Sequence, residues 1–165
     1  MSVSDSINPE RPDPTGMDLS DDELAGVVDV LGALTRPELD EALSELAFRR
    51  GTDPPGDDAI EGALDRFALL EHRPDGADEA LVLPGPAAFP VEPDGAEDLP
   101  HIMDVPDREV DRVAAGETAL ARLAAAAEGD LDEDRRARLL DLTYDLEAWA
   151  PVDAGDLRAR LDGVE

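Results

Sequence analysis

The chain has 165 residues and a formal net charge of −28 at pH 7, because 42 acidic residues stand against 14 basic ones, all of them arginine. Such an excess of like charge destabilises a compact state in dilute buffer. Salt at about 1 M shortens the Debye length to about 3 Å and screens the repulsion. The absence of cysteine excludes disulfides, thiolate metal sites and a cysteine nucleophile. We therefore expect a halophilic protein.

Neither a membrane anchor nor a signal peptide is visible in the sequence. No apolar run approaches the roughly 20 residues that a membrane-spanning helix needs. The N-terminal segment also lacks the basic stretch followed by an apolar one that a signal peptide requires. We therefore expect a soluble, cytoplasmic protein with no membrane contact. Its core has to be built from leucine, valine and alanine, because only five residues are aromatic.

The predicted structure begins after a lead-in. Residues 1–17 combine three prolines and a glycine with few apolar residues, which predicts disorder. Ser20 with Glu23, and Thr35 with Glu38, have the spacing of capping boxes, so two helices are predicted to start there. Their apolar residues recur at helical spacing: Leu24, Val27, Val28, Leu31 and Leu34 in the first helix, and Leu39, Ala42, Leu43 and Leu46 in the second.

A third helix and a hairpin follow. Asp57 or Asp58 is placed to cap the third helix. Its inward residues are predicted to be Ile60, Leu64 and Phe67. The hydrophobic period then changes, because short apolar runs at 68–71 and 80–83 flank a turn-rich segment at 72–79. This pattern predicts a β-hairpin with a long tip.

A proline-rich segment separates two predicted modules. Six prolines fall between Pro84 and Pro106, which favours an extended connector packed on the surface. An irregular stretch of this length is uncommon inside a compact domain. We therefore place the connector at 85–105, between a module at 18–84 and a helical region at 106–165.

Helical periodicity resumes in the last third of the chain. Asp104 is placed to cap a helix that begins near Pro106. Asp130 or Asp132 can open the next helix, and Asp153 can cap a short final one. The apolar residues of these helices follow in chain order: Val110, Val113, Leu120 and Leu123, then Leu139, Thr143, Leu146 and Trp149, then Leu157 and Leu161.

Three helices followed by a hairpin is the element order of a winged helix-turn-helix module, and the segment from Asp22 to Pro84 resembles that fold. The predicted fold class is therefore mainly α with a small β-hairpin, a winged-helix-like module followed by a C-terminal helical segment. The phrase DELAGVVDVLGALTRPELDEALSELAFRRG and the region that ends in LVLPGPAAFP also resemble an uncharacterised haloarchaeal family of unknown function. That resemblance implies a salt-rich cytoplasm, but no activity and no site residues.

Three basic residues are candidates for DNA contact in a winged-helix module, where the third helix enters the major groove. Arg66 lies at the end of that helix, and His72 and Arg73 lie in the predicted wing, where an arginine can probe a minor groove. The other outward residues of the third helix are acidic: Asp57, Asp58, Glu61 and Asp65. Acidic residues oppose phosphate binding, and high salt weakens it further. A solvated helix face and a solvated turn are therefore the favoured explanations, and DNA is a disfavoured partner.

Trp149 is a fourth candidate, for contact with another protein. It ends the stripe of Leu139, Thr143 and Leu146 on one face of a predicted helix. Aromatic anchors of this kind often dominate interfaces. The alternative is that Trp149 packs the C-terminal helices onto the first module.

The remaining charged patterns give no site. The arginines within 135–138 lie beside acidic residues at 132–134, and Asp134 with Arg138 has the i,i+4 spacing of an ion pair on a solvated helix. The aspartates within 130–134 imitate a calcium loop, but Arg135 stands where that loop requires glycine. His72 and His101 lack the spacing of zinc ligands, and no catalytic motif is present. We therefore expect no enzyme, no metal and no cofactor.

Three functions are compared on this basis. The first hypothesis is a non-catalytic protein-interaction or assembly module that binds an unknown protein partner or a second copy of itself. The second is a DNA-binding transcriptional regulator of winged-helix type, which a positive surface stripe would favour. An enzyme is a distant third possibility.

Overall fold

The computed structural model describes residues 17–163 of the chain. Within them lie seven helices and one antiparallel two-stranded hairpin, so the protein is mainly α with a small β-hairpin, as predicted. A short 3-10 turn at Ala96–Asp98 precedes the fourth helix. In chain order the elements are α1 (Asp21–Leu31), α2 (Arg36–Arg50), α3 (Asp57–Asp65), β1 (Leu69–His72), β2 (Leu81–Pro84), α4 (Leu99–Ile102), α5 (Arg112–Ala126), α6 (Glu133–Trp149) and α7 (Gly155–Leu161).

Both predicted capping boxes are confirmed. The Ser20 N–H donates to Glu23 Oε1 at 2.9 Å, and the Glu23 N–H donates to Ser20 Oγ at 3.1 Å. Thr35 and Glu38 exchange the same pair of bonds at 3.0 and 3.3 Å. These bonds satisfy amides that have no partner inside the helix. Local side-chain chemistry therefore sets where α1 and α2 begin.

The lead-in was predicted to run through residue 17, and residues 1–16 lie outside the described part of the chain. Met17 itself is buried, and its N–H donates to the Asp53 carbonyl oxygen at 2.9 Å. Met17 therefore belongs to the folded structure, and the boundary predicted for the lead-in is wrong by this one residue.

The third helix differs from its prediction at its start. Its N-cap is Gly56, which has no side chain that could cap, so the predicted cap at Asp57 or Asp58 is wrong. Both aspartates lie in the first turn instead. Negative charge is favourable there because it faces the positive end of the helix dipole.

The end of α3 departs further from the prediction, because Phe67 is not a helical residue. It lies just after the helix with a φ of 64°, a conformation that costs a residue other than glycine about 1–2 kcal/mol. The Phe67 N–H donates to the Leu64 carbonyl at 3.1 Å, and the Ala68 N–H donates to the Ala63 carbonyl at 2.9 Å. These two bonds form a Schellman motif, in which glycine usually occupies the position of Phe67. The reversal of the chain turns the Phe67 side chain away from the core that Ile60 and Leu64 fill.

The hairpin lies between two hydrophobic cores. Strand β1 pairs with β2 so that Leu70 lies opposite Leu83 and Glu71 lies opposite Val82. Because side chains alternate along a strand, Leu69 and Val82 on one face of the hairpin point into the first core. Leu70, Leu81 and Leu83 on the other face point into the second core. The first core is formed by α1–α4, and its largest fully buried residues include Leu24, Leu34, Leu39, Leu43, Leu46 and Ile60. The second core is formed by α5–α7 with the other face of the hairpin: Phe67, Leu70, Leu81, Leu83, Leu123, Leu139, Leu146, Leu157 and Leu161.

A bridge ties the turn after α1 to the hairpin. Leu34 and Val82 form an isolated antiparallel bridge, in which their backbone amides donate to each other's carbonyl oxygens at 3.2 and 2.6 Å. Leu34 is fully buried. The bridge fixes β2 against the first module and involves no residue of the C-terminal helices.

The proline-rich segment is only partly the extended connector that was predicted. Residues 85–95 contain no helix or strand, and their backbone lies directly on α1, because a Cβ added to Gly26 would come within 2.0 Å of the Val91 carbonyl oxygen. Its second half folds into α4, where Leu99 is fully buried in the first core. The extended description is therefore wrong for this half, and the module boundary inside 85–105 stays a prediction.

The fifth helix begins later than predicted. Its N-cap is Asp111, whose carboxylate accepts from the Val113 N–H at 3.0 Å. A start near Pro106 capped by Asp104 is therefore wrong. The intervening segment instead carries Arg108 to α2, where its guanidinium bonds Glu38.

The last two helices follow their predictions more closely. Asp132 caps α6, and it accepts from the Arg135 N–H at 2.7 Å. The N-cap of α7 is Ala154, so the predicted cap at Asp153 is displaced by one residue. The Asp153 carboxylate nevertheless accepts from the Gly155 N–H at 2.8 Å at the start of α7.

Candidate interaction surfaces

Arg66 is exposed at the end of α3, but its guanidinium is engaged. Its Nε and Nη2 donate to the two carboxylate oxygens of Asp21 at 2.5 and 2.9 Å. These hydrogen bonds are the main reason why the pKa of Asp21 lies below its usual value. The pair cross-links α3 to α1, and the rest of the outward face of α3 is acidic and exposed, as expected: Asp57, Asp58, Glu61 and Asp65.

His72 lies at the end of β1 and not in the turn where it was predicted. It is buried, with 7% of its surface exposed, and its Nδ1 lies 2.7 Å from the Thr118 Oγ1 of α5. The side chain therefore joins the hairpin to the second group of helices. Arg73, the next residue, is exposed in the hairpin tip. The structure separates these two candidates instead of combining them into one positive site.

Trp149 is half-buried at the end of α6, where it packs against the second core. The Arg112 guanidinium of α5 lies 4.2 Å from the centre of its ring. A cation over an indole at this distance is attracted to the face of the ring. Trp149 thus links α6 to α5, which supports its packing role, while part of its surface stays open to solvent.

Three of the five aromatic side chains lie at the surface. Phe48 is 82% exposed, Phe89 is 77% exposed and Tyr144 is 56% exposed. Phe48 projects from α2 on the side opposite its buried stripe of leucines, and Phe89 lies in the segment that covers α1. Isolated exposed leucines are ordinary in proteins. Two exposed phenylalanines are notable in a chain whose first core contains no aromatic residue.

Tyr144 differs from the two phenylalanines because one face of its ring is covered. The Arg158 guanidinium lies 4.0 Å from the centre of the ring. The same guanidinium donates to Glu147 at 2.5 Å and to Thr143 Oγ1 at 3.1 Å. The pKa of Glu147 is lowered mainly by the Ala154 N–H that it accepts, and further by Arg158. This network holds α7 on α6.

A cleft of about 430 Å³ lies beside the hairpin tip, lined by residues that include Thr35, Glu79 and Arg108. Its arginine is already occupied, because Arg108 donates to both carboxylate oxygens of Glu38 and to the Ala33 carbonyl at 2.7–3.0 Å. The positive charge is thus neutralised inside the fold. The cleft offers little attraction to an anion.

Residues 22–165 match the model of a family described as "Family of unknown function (DUF7109)". The chain belongs to DUF7109. No curated protein and no solved structure matches it. The match begins in α1 and includes every later element, so the surfaces described above all lie within the DUF7109 region.

Residues 17–163 contain no cluster of metal-binding side chains and no helix suited to crossing a membrane. In this part of the DUF7109 chain, no three His, Asp or Glu residues come together in an arrangement that could hold a metal ion. None of the helices described has both the length and the apolar character needed to cross a bilayer.

The exposed aromatic residues were missed as sites at the level of sequence, although a signal for Phe48 was present. Leu39, Leu43 and Leu46 define the buried side of α2, and a helix turns by 100° per residue. Phe48 falls opposite the centre of that stripe. A helical projection of α2 would therefore have identified Phe48, whereas no periodic pattern surrounds Phe89.

Proposed function

We propose that this DUF7109 protein is a non-catalytic interaction or assembly module of a halophilic cytoplasm. The observation that carries the proposal is the exposure of Phe48 and Phe89. The protein has few aromatic residues, and its folding leaves two phenylalanines in water. Buried apolar surface contributes about 25 cal/mol per Å², so these side chains gain their stabilisation only when another molecule covers them.

The charge of the chain supports the salt-rich part of the proposal. A net charge of −28 without lysine suits a medium of molar salt, in which repulsion between like charges is screened. High salt also strengthens the effective burial of apolar groups when the salt is excluded from protein surfaces. Aromatic anchors are therefore better suited to association in such a medium than exposed ion pairs.

Phe48→Ser, Phe89→Ser and Trp149→Ala test the proposal. We expect Phe48→Ser or Phe89→Ser to weaken self-association or partner binding at molar KCl by tenfold or more, which is about 1.4 kcal/mol. Sedimentation of purified protein measures self-association, and capture from lysate at molar KCl with and without nuclease measures partner binding. Val113→Ser is the matched control, because Val113 is 44% exposed on α5.

The Trp149 variant distinguishes its two roles. If Trp149 only packs α6 onto α5, Trp149→Ala lowers the melting temperature and leaves assembly unchanged. If it is an anchor, assembly falls as well. An unchanged sedimentation profile and unchanged capture for both phenylalanine variants would contradict the interaction proposal.

A winged-helix DNA-binding regulator is the second candidate. It is favoured by the order of α1–α3 and the hairpin, with the Leu34 bridge to Val82 as a third strand segment, and by the exposed Arg73. The acidic face of α3 argues against it, and so do the hydrogen bonds that Arg66 donates to Asp21. So does the burial of the hairpin between two cores, which leaves only its tip to act as a wing.

Duplex binding distinguishes this candidate from the first. We expect no DNA binding tighter than about 10⁻⁴ M at molar KCl, because the outward face of α3, the helix that would enter the groove, has no free positive charge to neutralise phosphates. Fluorescence anisotropy with a labelled duplex at several KCl concentrations measures it. Firm binding that Arg73→Ala abolishes would make the protein a DNA-binding regulator.

A further inference from the structure

Two neighbouring clefts lie at the end of α3, one against α5 and the start of α6, the other against the start of α1 and α6. One has a volume of about 360 Å³ and the other about 280 Å³. They adjoin because Asp65 and Arg66 are consecutive and because Arg135 and Arg138 are one turn apart on α6. We call this surface the arginine seam, after the four arginines that line it: Arg66, Arg122, Arg135 and Arg138.

Most of the positive charge in the seam has no partner inside the fold. Arg66 is bonded to Asp21, but within residues 17–163 no carboxylate lies within 4.0 Å of the guanidinium nitrogens of Arg122, Arg135 or Arg138. The chain holds three acidic residues for each arginine. Three guanidinium groups on two different helices therefore line these clefts without an ion-pair partner among the described residues.

The local charge balance is opposite to that of the whole chain. The seam is lined by four arginines and three carboxylates, those of Asp21, Asp22 and Asp65. The Arg66 guanidinium is the main cause of the lowered pKa of Asp21, and Arg138 contributes attraction from the other side of the cleft. Asp21 is thereby neutralised, which leaves the Arg122 and Arg135 end of the seam positive.

That end of the seam also has an apolar floor. Leu64, Phe67 and Ala126 line the same cleft as Arg122 and Arg135. Phe67 reaches this position only through its left-handed backbone, with φ 64°. Residues held in such conformations cluster at functional sites. The cleft therefore combines two cationic groups and one carboxylate, Asp65, with a small apolar floor, because Leu64 and Phe67 are each only 4% exposed.

We propose that the arginine seam binds a small organic phosphate. The phosphoryl group lies between the guanidinium groups of Arg122 and Arg135, and the carbon skeleton packs on the floor that Phe67 forms. A hydroxyl group of the ligand donates a hydrogen bond to Asp65. This inference is independent of the interaction function, because it uses none of the exposed aromatic residues.

Chemistry selects this ligand class over its competitors. Guanidinium groups bind phosphate through paired N–H donors, which a spherical chloride ion cannot match. A polyanion such as a nucleic acid is disfavoured, because its further phosphates would be repelled by a chain whose net charge is −28. A small phosphate ester fits within the volume of the cleft and engages only its positive end.

The test is a calorimetric titration of the full chain with glycerol 3-phosphate at about 1 M KCl, with sulfate and glycerol as comparison ligands. We expect saturable binding of glycerol 3-phosphate with a Kd of about 1 mM or lower, at least tenfold tighter than that of sulfate. Arg122→Gln and Arg135→Gln should each weaken it at least tenfold. Arg135→Lys keeps the positive charge but lacks the paired N–H donors, so its affinity for glycerol 3-phosphate should be several-fold weaker than that of the parent.

Arg136→Gln is the matched control. Arg136 is exposed on α6 beside Arg135, but it does not line either cleft, so its variant should bind like the parent. Arg122, Arg135 and Arg136 are all at least partly exposed, so we expect each variant to fold. Circular dichroism checks that each variant keeps its helices. Three results would overturn the proposal: no saturable binding by the parent, equal affinity for sulfate, or an equal loss in Arg136→Gln.

Discussion

The part of the chain before α5, which includes the hairpin, and the part from α5 onward carry very different net charge. Residues 17–111 contain 26 acidic residues and six arginines, whereas residues 112–163 contain 12 acidic residues and seven arginines. The first region therefore holds most of the net negative charge. The second is much closer to neutral.

The two regions also use arginine differently. Five of the six arginines in the first region donate to a carboxylate or a carbonyl oxygen: Arg36, Arg49, Arg50, Arg66 and Arg108. Among the seven in residues 112–163, Arg158 makes an ion pair within the described chain and Arg112 lies over Trp149. In the region with the larger net negative charge, arginine cross-links the fold. In the more balanced region, arginine remains available at the surface, which is where we infer a ligand.

The largest expected effect comes from the removal of salt. Lowering KCl from molar to about 0.1 M lengthens the Debye length to about 10 Å, so we expect the chain to expand or unfold. Hydrogen exchange should rise first in α1–α3, because the first region carries most of the repulsion. Circular dichroism and exchange mass spectrometry across the KCl range measure both effects. Unchanged helicity and melting temperature in dilute buffer would refute the halophile hypothesis.

Substitutions in the two cores test whether the regions are energetically equivalent. Leu43 and Leu139 are both at most 1% exposed, one in each core. We expect Leu43→Ala and Leu139→Ala each to lower the free energy of unfolding by about 2–5 kcal/mol. Because the cores share the hairpin, each variant should unfold in one transition in urea at molar KCl. Val113→Ala, at a half-exposed position, should change stability by less than about 0.5 kcal/mol, and a similarly small loss at Leu43 would mean that its side chain is not buried.

The ion pair between Arg108 and Glu38 tests the use of arginine as a cross-link. Arg108→Gln should lower the free energy of unfolding by roughly 1–2 kcal/mol, since it removes the charge-assisted hydrogen bonds to Glu38 and to the Ala33 carbonyl oxygen, which solvent screens only in part. Arg136→Gln, which removes the same charge from an exposed position, should leave stability almost unchanged. Equal losses in the two variants would mean that net charge, and not the contact, sets the effect.

The pH dependence of the same pair has a defined sign. Hydrogen bonds from Arg108 lower the pKa of Glu38 in the folded state, so the pair stabilises the fold above the ordinary glutamate pKa. That contribution disappears as the pH falls through the lowered pKa. Denaturant melts at molar KCl between about pH 6 and pH 3 should show a shallower decline for Arg108→Gln than for the parent. Dilute buffer is unsuitable, because protonation there also relieves the repulsion among carboxylates.

The smallest effect concerns the backbone at Phe67. Phe67→Ala and Phe67→Gly both remove the ring from the second core, but only glycine adopts a φ of 64° without strain. We therefore expect the glycine variant to be the more stable by about 1 kcal/mol, the reverse of the usual order within helices. Urea denaturation of the two variants measures the difference. A more stable alanine variant would contradict the left-handed assignment.

The parts of the fold that depend on neighbouring residues could be predicted from the sequence. The capping boxes of α1 and α2 were predicted correctly because their partners lie three residues apart. Phe67 was misplaced because it continues the helical spacing of Ile60 and Leu64. Its backbone reverses there and its ring packs in the second core, which is formed by helices distant in sequence. The start of α5 was missed because several aspartates nearby, Asp104 and Asp111 among them, are all plausible caps.

The candidate site was less predictable, because its contacts join distant parts of the chain. The contact between His72 and Thr118 spans 46 positions, and the one between Arg66 and Asp21 spans 45. No local pattern marks such partners. The arginines of α6 were visible in sequence but were assigned to a solvated helix, because their convergence with Arg122 and Phe67 arises only when α3, α5 and α6 pack together.

The hairpin imposes an order on events during synthesis. Its first face can be covered as soon as α1–α3 and the bridge from Leu34 to Val82 have formed. Its second face, which presents Leu70, Leu81 and Leu83, begins to be covered only when α5 has been made, and its cover is complete only with α7. At about 5–20 residues per second, the nascent protein displays this apolar strip for several seconds. We therefore expect ribosome-bound chains that stop before α5 to require a chaperone, while the completed chain does not.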